Sequence, residues 1–189
     1  MSISKDYIVL VDLDDVLDDL LPAWVNKINE LYSLNVDYKD IVEWDMKKAF
    51  PSLSTEEIYA PLLIEDFWKD VKPVENSIMY FQTLYEEGYN IKICTASCPT
   101  AIHYKYKHFI QKYLPFITYK DIICIYNKQL VLGNILLDDN INNLIGGKYT
   151  GVLFNRNYNK NIKTKIKRVD NWEEFYNFVH EDYKKWLKK

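Results

Sequence analysis

Five short apolar runs set the rhythm of the chain: Tyr7 to Val11, Asn90 to Cys94, Ile122 to Tyr126, Ile135 to Leu137, and Gly151 to Phe154. They are rich in Ile, Val and Leu and largely lack polar alternation, which predicts strands buried on both faces. The longer segments between most of them predict a parallel sheet. In those segments the apolar period becomes helical. Pro73 before Val74 to Glu87, and Gly88 after it, punctuate one helix. Ile102, Tyr106, Phe109, Ile110 and Tyr113 give Thr100 to Tyr113 one buried stripe. Trp172, Phe175, Val179, Tyr183 and Trp186 do the same for Trp172 to Lys188, with Lys184, Lys185, Lys188 and Lys189 where cations suit a helix C-terminus. Strands alternating with helices make this an α/β pattern.

One interval breaks the alternation. Asp18 to Lys72 is far longer than a single crossover needs and holds two helix-like stretches, Pro22 to Tyr32 and Thr55 to Leu63. It reads as an inserted helical cap. The expected organisation is a core domain of residues 1–17 and 73–189 and a cap subdomain of residues 18–72. A chain of 189 residues is long enough for one core with such an insertion. The fold class is therefore expected to be α/β: a Rossmann-like parallel sheet with helices on both faces and a small helical cap after the first strand.

Composition removes several function classes. At 48% hydrophobic and 27% charged residues, neither disorder nor a fibrous repeat is indicated. No apolar run approaches the roughly 18 residues of a membrane span, and MSISKDY lacks the charged start and apolar middle of a signal peptide, so the expected location is cytoplasmic, with no membrane partner. The three cysteines read as reduced thiols, since Cys94 and Cys98 lack the paired clusters of a zinc site. A net charge of −3 gives no general attraction to nucleic acid, and the locally basic run Arg156 to Arg168 reads as a solvated face, so no stable nucleic-acid partner is expected.

The chemistry lies where strands end. In parallel α/β sheets ligands bind at the carboxyl ends of strands. The first run, IVLVDLDDVL, ends in Asp12 and Asp14, the second in Thr95, and the fourth in Asp138 and Asp139, with Lys128 just past the third. Carboxylates in so apolar a run are costly without a cation. Asp12, Asp14 and Asp139 supply hard oxygen ligands for Mg²⁺, while Thr95 and Lys128 suit phosphate oxygens. Taken singly, any of these acids reads as a loop or capping residue; their joint placement argues otherwise. Asp15, Asp18 and Asp19 read as caps of the helix that starts the insertion. His103, His108 and His180 lack a partner pattern and receive no role.

These residues carry a resemblance. DLDDVL, Thr95 of IKICTAS, Lys128, and the acidic pair of ILLDDN follow the order of the four motifs of the haloacid dehalogenase superfamily of phosphohydrolases, across Ile8 to Asn140. Within it the chain resembles the 5'(3')-deoxyribonucleotidase family, in its first motif, its cap position and LIEDFWKDVKP at the cap's exit. Asp15 departs from the pattern, standing where the family usually has Gly. The resemblance implies that Asp12 is the nucleophile, forming an aspartyl-phosphate, and that Asp14 is general acid and then base, giving its backbone carbonyl to Mg²⁺. It implies that Asp139 is a direct metal ligand and Asp138 its support or a water-mediated ligand. Ala96 and Ser97 would bind phosphate through backbone N–H groups at a helix N-terminus. Trp44, Phe67 and Trp68, in the insertion, would stack on a nucleobase.

The implied function is Mg²⁺-dependent hydrolysis of (deoxy)nucleoside monophosphates, with a small phosphomonoester as partner. The alternatives are a phosphatase of the same superfamily acting on a sugar phosphate or polynucleotide end, and a non-catalytic phosphate-binding regulatory module. A receiver domain uses similar residues, but the order acids, Thr, Lys, acids and the interrupting cap argue against it. Base and sugar preference and the choice between 5' and 3' phosphate stay open, and a homodimer is compatible with the sequence.

Overall fold

The apolar runs assemble side by side. In the computed structural model, which describes residues 3–188, β1 (Ile8–Val11) is followed by α1 (Leu20–Tyr32), α2 (Met46–Ala49), α3 (Thr55–Tyr59) and α4 (Glu65–Asp70). Then come α5 (Ser77–Glu86), β2 (Asn90–Thr95), α6 (Pro99–Lys105), a π-helical segment (Tyr106–Ile110) and α7 (Gln111–Tyr113). β3 (Ile122–Cys124), β4 (Leu132–Asp138), β5 (Lys148–Phe154), β6 (Lys167–Val169) and α8 (Trp172–Trp186) complete the order. The expected bounds 1 and 189 of the core, and Lys189 at the last helix end, lie outside the described residues.

Among the described residues the sheet has six strands in the order β3-β2-β1-β4-β5-β6, and every pairing is parallel. Since β2 and β4 lie on opposite sides of β1, the winding reverses at β1, and a crevice opens at the carboxyl ends of β1 and β4. Val9 and Val11 face the large core with Phe81, Trp172 and Phe175, while Leu10 faces a smaller cluster with Cys94, Leu136 and Leu153. Removing a side chain the size of Trp172 from such a core costs on the order of 3–5 kcal/mol. Its indole also donates to the Val16 carbonyl at 2.8 Å, pinning the loop that follows β1.

Several elements differ from the sequence expectation, β5 among them, which starts at Lys148 rather than Gly151, and three have a clear local reason. The helix expected from Val74 starts at Ser77, because Pro73 bridges to Asp18 and Asn76 takes a left-handed φ of 59°. β4 starts at Leu132 rather than Ile135, through a register shift that polar and glycine residues hide from an apolar count. β6 was not expected at all: a three-residue edge strand carrying Lys167 and Arg168 leaves no apolar signature. The π-helical segment also lies inside one continuous expected helix.

The two ends of the 18–72 segment are laced together. Asp19 N donates to Lys72 O at 2.8 Å, and Val74 N to Leu17 O at 2.9 Å. The segment thus leaves and rejoins the sheet through a two-stranded neck beside the end of β1. Its interior is built on Trp24, whose Nε1 donates to Ile58 O at 2.7 Å.

Candidate active site

The chain reverses sharply after β1. Leu17 N and Asp18 N both donate to Leu13 O, at 2.9 and 3.0 Å, so Asp12 to Asp18 form a tight loop over the strand end. Asp15 stands at φ 56°, in the left-handed region that glycine occupies freely and aspartate tolerates better than most residues. That turn explains why glycine is usual there. Asp15 adds something glycine cannot: its Oδ1 accepts from Leu21 N at 2.9 Å, capping α1. Burial, only partly offset by Arg156, raises its carboxyl to about 6. The capping expected of Asp18 and Asp19 is not found. Asp19 pairs with Arg156 at 3.1 Å, and Asp18 is buried with Oδ1 accepting from Asp15 N at 3.2 Å.

Asp12, Asp138 and Asp139 converge, with one ligand oxygen from each within 4.8 Å of the others. All three are buried, and Lys128, 1% exposed, is the cation between two of them: its Nζ lies 2.7 Å from Asp12 Oδ1 and 2.6 Å from Asp138 Oδ2. Burial works against its ammonium, but Asp12 and then Asp138 outweigh it and raise the lysine's pKa. Burial raises Asp12 to about 7 despite Lys128, and lifts Asp139 well above the usual range, with Asp138 and Asp12 adding to it. Three acids with one lysine paired to two of them are short of positive charge. Hard carboxylate oxygens this close fit a divalent cation such as Mg²⁺.

Asp14 is separate from that trio. Its Oδ2 accepts from Lys105 at 2.6 Å, while Oδ1 is buried without a partner among the described residues. Lys105, 3% exposed, also donates to Ser97 Oγ at 2.5 Å and lies 5.1 Å from the Trp68 ring centroid. Thr95, fully buried at the end of β2, has an Oγ1 with no partner among the described residues. Such orphaned buried atoms require a ligand or water to complete them.

Asp14, Ala96, Ser97 and Lys105 line a cavity of about 680 Å³ whose other wall includes Trp44, Tyr59 and Trp68. This is the size of a small-molecule site. Phe67 is not in that wall; it borders a separate hollow with Ala23, Lys27 and Asp70. Trp68 is buried with its Nε1 held by Leu62 O at 3.0 Å, whereas Trp44 is 42% exposed.

A family model described as "5' nucleotidase, deoxy (Pyrimidine), cytosolic type C protein" matches residues 6–184. The chain belongs to that family. A 5'(3')-deoxyribonucleotidase of Bacillus subtilis (strain 168) is 30% identical over 169 residues, 88% of this chain and 95% of the relative. One of Clostridium acetobutylicum is 32% identical over 173 residues, 87% of this chain and 89% of the relative. Among solved structures, a haloacid dehalogenase family hydrolase of Deinococcus radiodurans with bound phosphate and sodium superposes with a TM-score of 0.61 at 12% identity, covering 95% of this chain and 97% of that one. A Bacillus subtilis hydrolase of this type, bound to magnesium, gives 0.60 at 12% identity, covering 93% and 99%. The nucleotidase is thus a phosphoric monoester hydrolase on a haloacid dehalogenase fold. Among its described residues, no helix is long and apolar enough to cross a membrane.

Several residues at the candidate site or in the loops that support it escaped the sequence reading. Lys105 lies four residues after buried Ala101, on one helical face, a signal masked by the apolar stripe beside it. Arg156 and Arg168, read as part of a solvated basic face, are structural. Arg156 Nε donates to Asp15 O at 2.5 Å, and Arg168 donates to the carbonyls of Asn159 and Ile162, at 2.9 and 2.6 Å. Tyr158 donates to Asp139 Oδ2 at 2.6 Å, and nothing in its immediate sequence announces that.

Proposed function

We propose that the protein hydrolyses deoxyribonucleoside monophosphates to nucleoside and phosphate, with Asp12 as nucleophile and Mg²⁺ as cofactor. The observation carrying this is the convergence of Asp12, Asp138, Asp139 and Lys128 at the mouth of β1, beside a cavity with aromatic walls. Asp12 Oδ1 is engaged by Leu13 N at 2.8 Å and by Lys128, so Oδ2 is the oxygen assigned to attack phosphorus. The P–O bond to the nucleoside breaks as the aspartyl-phosphate forms; water then cleaves it. Asp12, Asp139 and Asp138 would hold Mg²⁺, with Asp14 contributing its backbone carbonyl. The bound ion would polarise the phosphoryl group and offset its charge.

Asp14 must carry a proton to the leaving oxygen and later take one from water. Its Oδ2 is held by Lys105 at 2.6 Å. An arriving phosphate dianion, cradled by Thr95 Oγ1 and the backbone of Ala96 and Ser97, competes for Lys105 and frees Asp14 Oδ2 to face the leaving oxygen. The 18–72 segment acts as the cap that forms the far wall of the cavity.

Two measurements test this reading. Asp139→Ala should raise the Mg²⁺ concentration for half-maximal turnover by about 10-fold or more, and a chelator should stop the wild type. Turnover indifferent to the chelator removes the metal from the account. Trp44→Leu, assayed at saturating Mg²⁺, should raise KM for a deoxynucleoside monophosphate roughly 5- to 150-fold, the range of one lost base stack. KM for a small phosphate ester should hardly move, and Phe67→Leu should spare both. Equal losses on both substrates would mean that Trp44 only packs the cap. No turnover of any nucleoside monophosphate by the wild type would favour a sugar-phosphate substrate.

A further inference from the structure

The loop after β5 is built onto one of the acids. Asn159 Nδ2 donates to the backbone carbonyl of Asp139 at 2.8 Å and to Phe154 O at 2.8 Å, and its Oδ1 accepts from Arg156 N at 3.0 Å. Those bonds fix the short turn Asn157–Asn159 directly over Asp139. From that turn Tyr158, 5% exposed, points its hydroxyl at two carboxylates: Asp139 Oδ2 at 2.6 Å and Asp15 Oδ2 at 3.2 Å. A phenol has one proton to give. The shorter distance assigns it to Asp139. Trp44 of the 18–72 segment packs against the ring, with centroids 4.8 Å apart.

We infer that Tyr158 is a positioning residue for Asp139: its hydroxyl occupies Oδ2 and fixes the carboxylate plane, leaving Oδ1 as the oxygen offered to the metal. This inference rests on the metal reading above. Neutral donors that hold a ligating group by its other atom typically change metal affinity 10- to 100-fold. Tyr158 also links the metal acids to the 18–72 segment through Trp44, so both sides of the crevice bear on the same ligand.

Tyr158→Phe keeps the ring against Trp44 and removes only the hydroxyl. Mg²⁺ binding should be measured by titration calorimetry without substrate, for wild type, Tyr158→Phe and Asp139→Ala, with near-ultraviolet circular dichroism of each metal-free protein as the check on folding. The expected result is a Kd at least about 10-fold higher for Tyr158→Phe than for wild type, with turnover recovered on raising Mg²⁺. A residue serving only to pack the loop would instead lose turnover at every Mg²⁺ concentration and keep the wild-type Kd. Wild-type affinity in Tyr158→Phe alongside lost affinity in Asp139→Ala overturns the inference and leaves the metal reading intact. A wild type that binds no Mg²⁺ overturns both.

Discussion

Asp12→Asn should lower phosphatase turnover by about 10³-fold or more while leaving the fold in place, the scale expected when the attacking group of the proposed covalent route is lost. An amide cannot form the phospho-enzyme bond, and it is a poorer partner for a hard cation. The substitution is nearly isosteric, and Lys128 keeps Asp138 at 2.6 Å, so the lysine is not left alone. A second consequence concerns pH. Burial raises Asp12 to about 7 in the metal-free protein, whereas the unfolded carboxyl ionises near 3.8. A raised folded-state pKa contributes stability below the unfolded value and loses it as pH rises through the folded one. Metal-free wild type should therefore lose stability between about pH 4 and 7, and Asp12→Asn should lose less. Turnover and thermal melts at several pH values, with chelator in the melts, check both statements. Near-wild-type turnover in the variant would refute the covalent route.

Asp14→Asn is expected to cost about 10²- to 10⁴-fold in turnover, and to do so selectively. The amide keeps the shape and still accepts from Lys105, but can neither protonate a leaving alkoxide nor activate water. Substrates with good leaving groups need no protonation for the first step, so a nitrophenyl phosphate should form the phospho-enzyme in this variant and then stall. An initial burst of nitrophenol without steady release is the expected trace. The pH profile should lose one limb. A full bell-shaped profile in the variant would transfer the proton to another group.

Much of this arrangement is legible in the sequence, because the apolar runs are strongly β-like and a strand-end acid has nowhere else to go. Asp12, Thr95, Asp138 and Asp139 terminate elements whose type the pattern gives directly, and the parallel topology then brings them together. Lys105 and Tyr158 were not legible. Their importance depends on which face a helix or turn presents to a strand belonging to another part of the chain, and that is decided by packing rather than by local period. Phe67 and Trp68 show the reverse error. Adjacent aromatics in α4 were expected to act together, but neighbours on a helix are about 100° apart, and only Trp68 reaches the cavity by Asp14.

The π-helical segment at Tyr106–Ile110 bears on how related chains should be lined up. A π turn holds one residue more than the α turn it replaces, and one residue in an α-helix is about 100° of rotation. Lys105, just before it, reaches Asp14, and Phe109 and Ile110, inside it, fill the core. In a chain one residue shorter here, with plain α geometry, the residues on one side of the segment would be turned by about 100° relative to those on the other. Where a gap is drawn in this stretch therefore decides which residue is matched to Lys105. A gap misplaced by two residues would set the counterpart of Lys105 against Lys107.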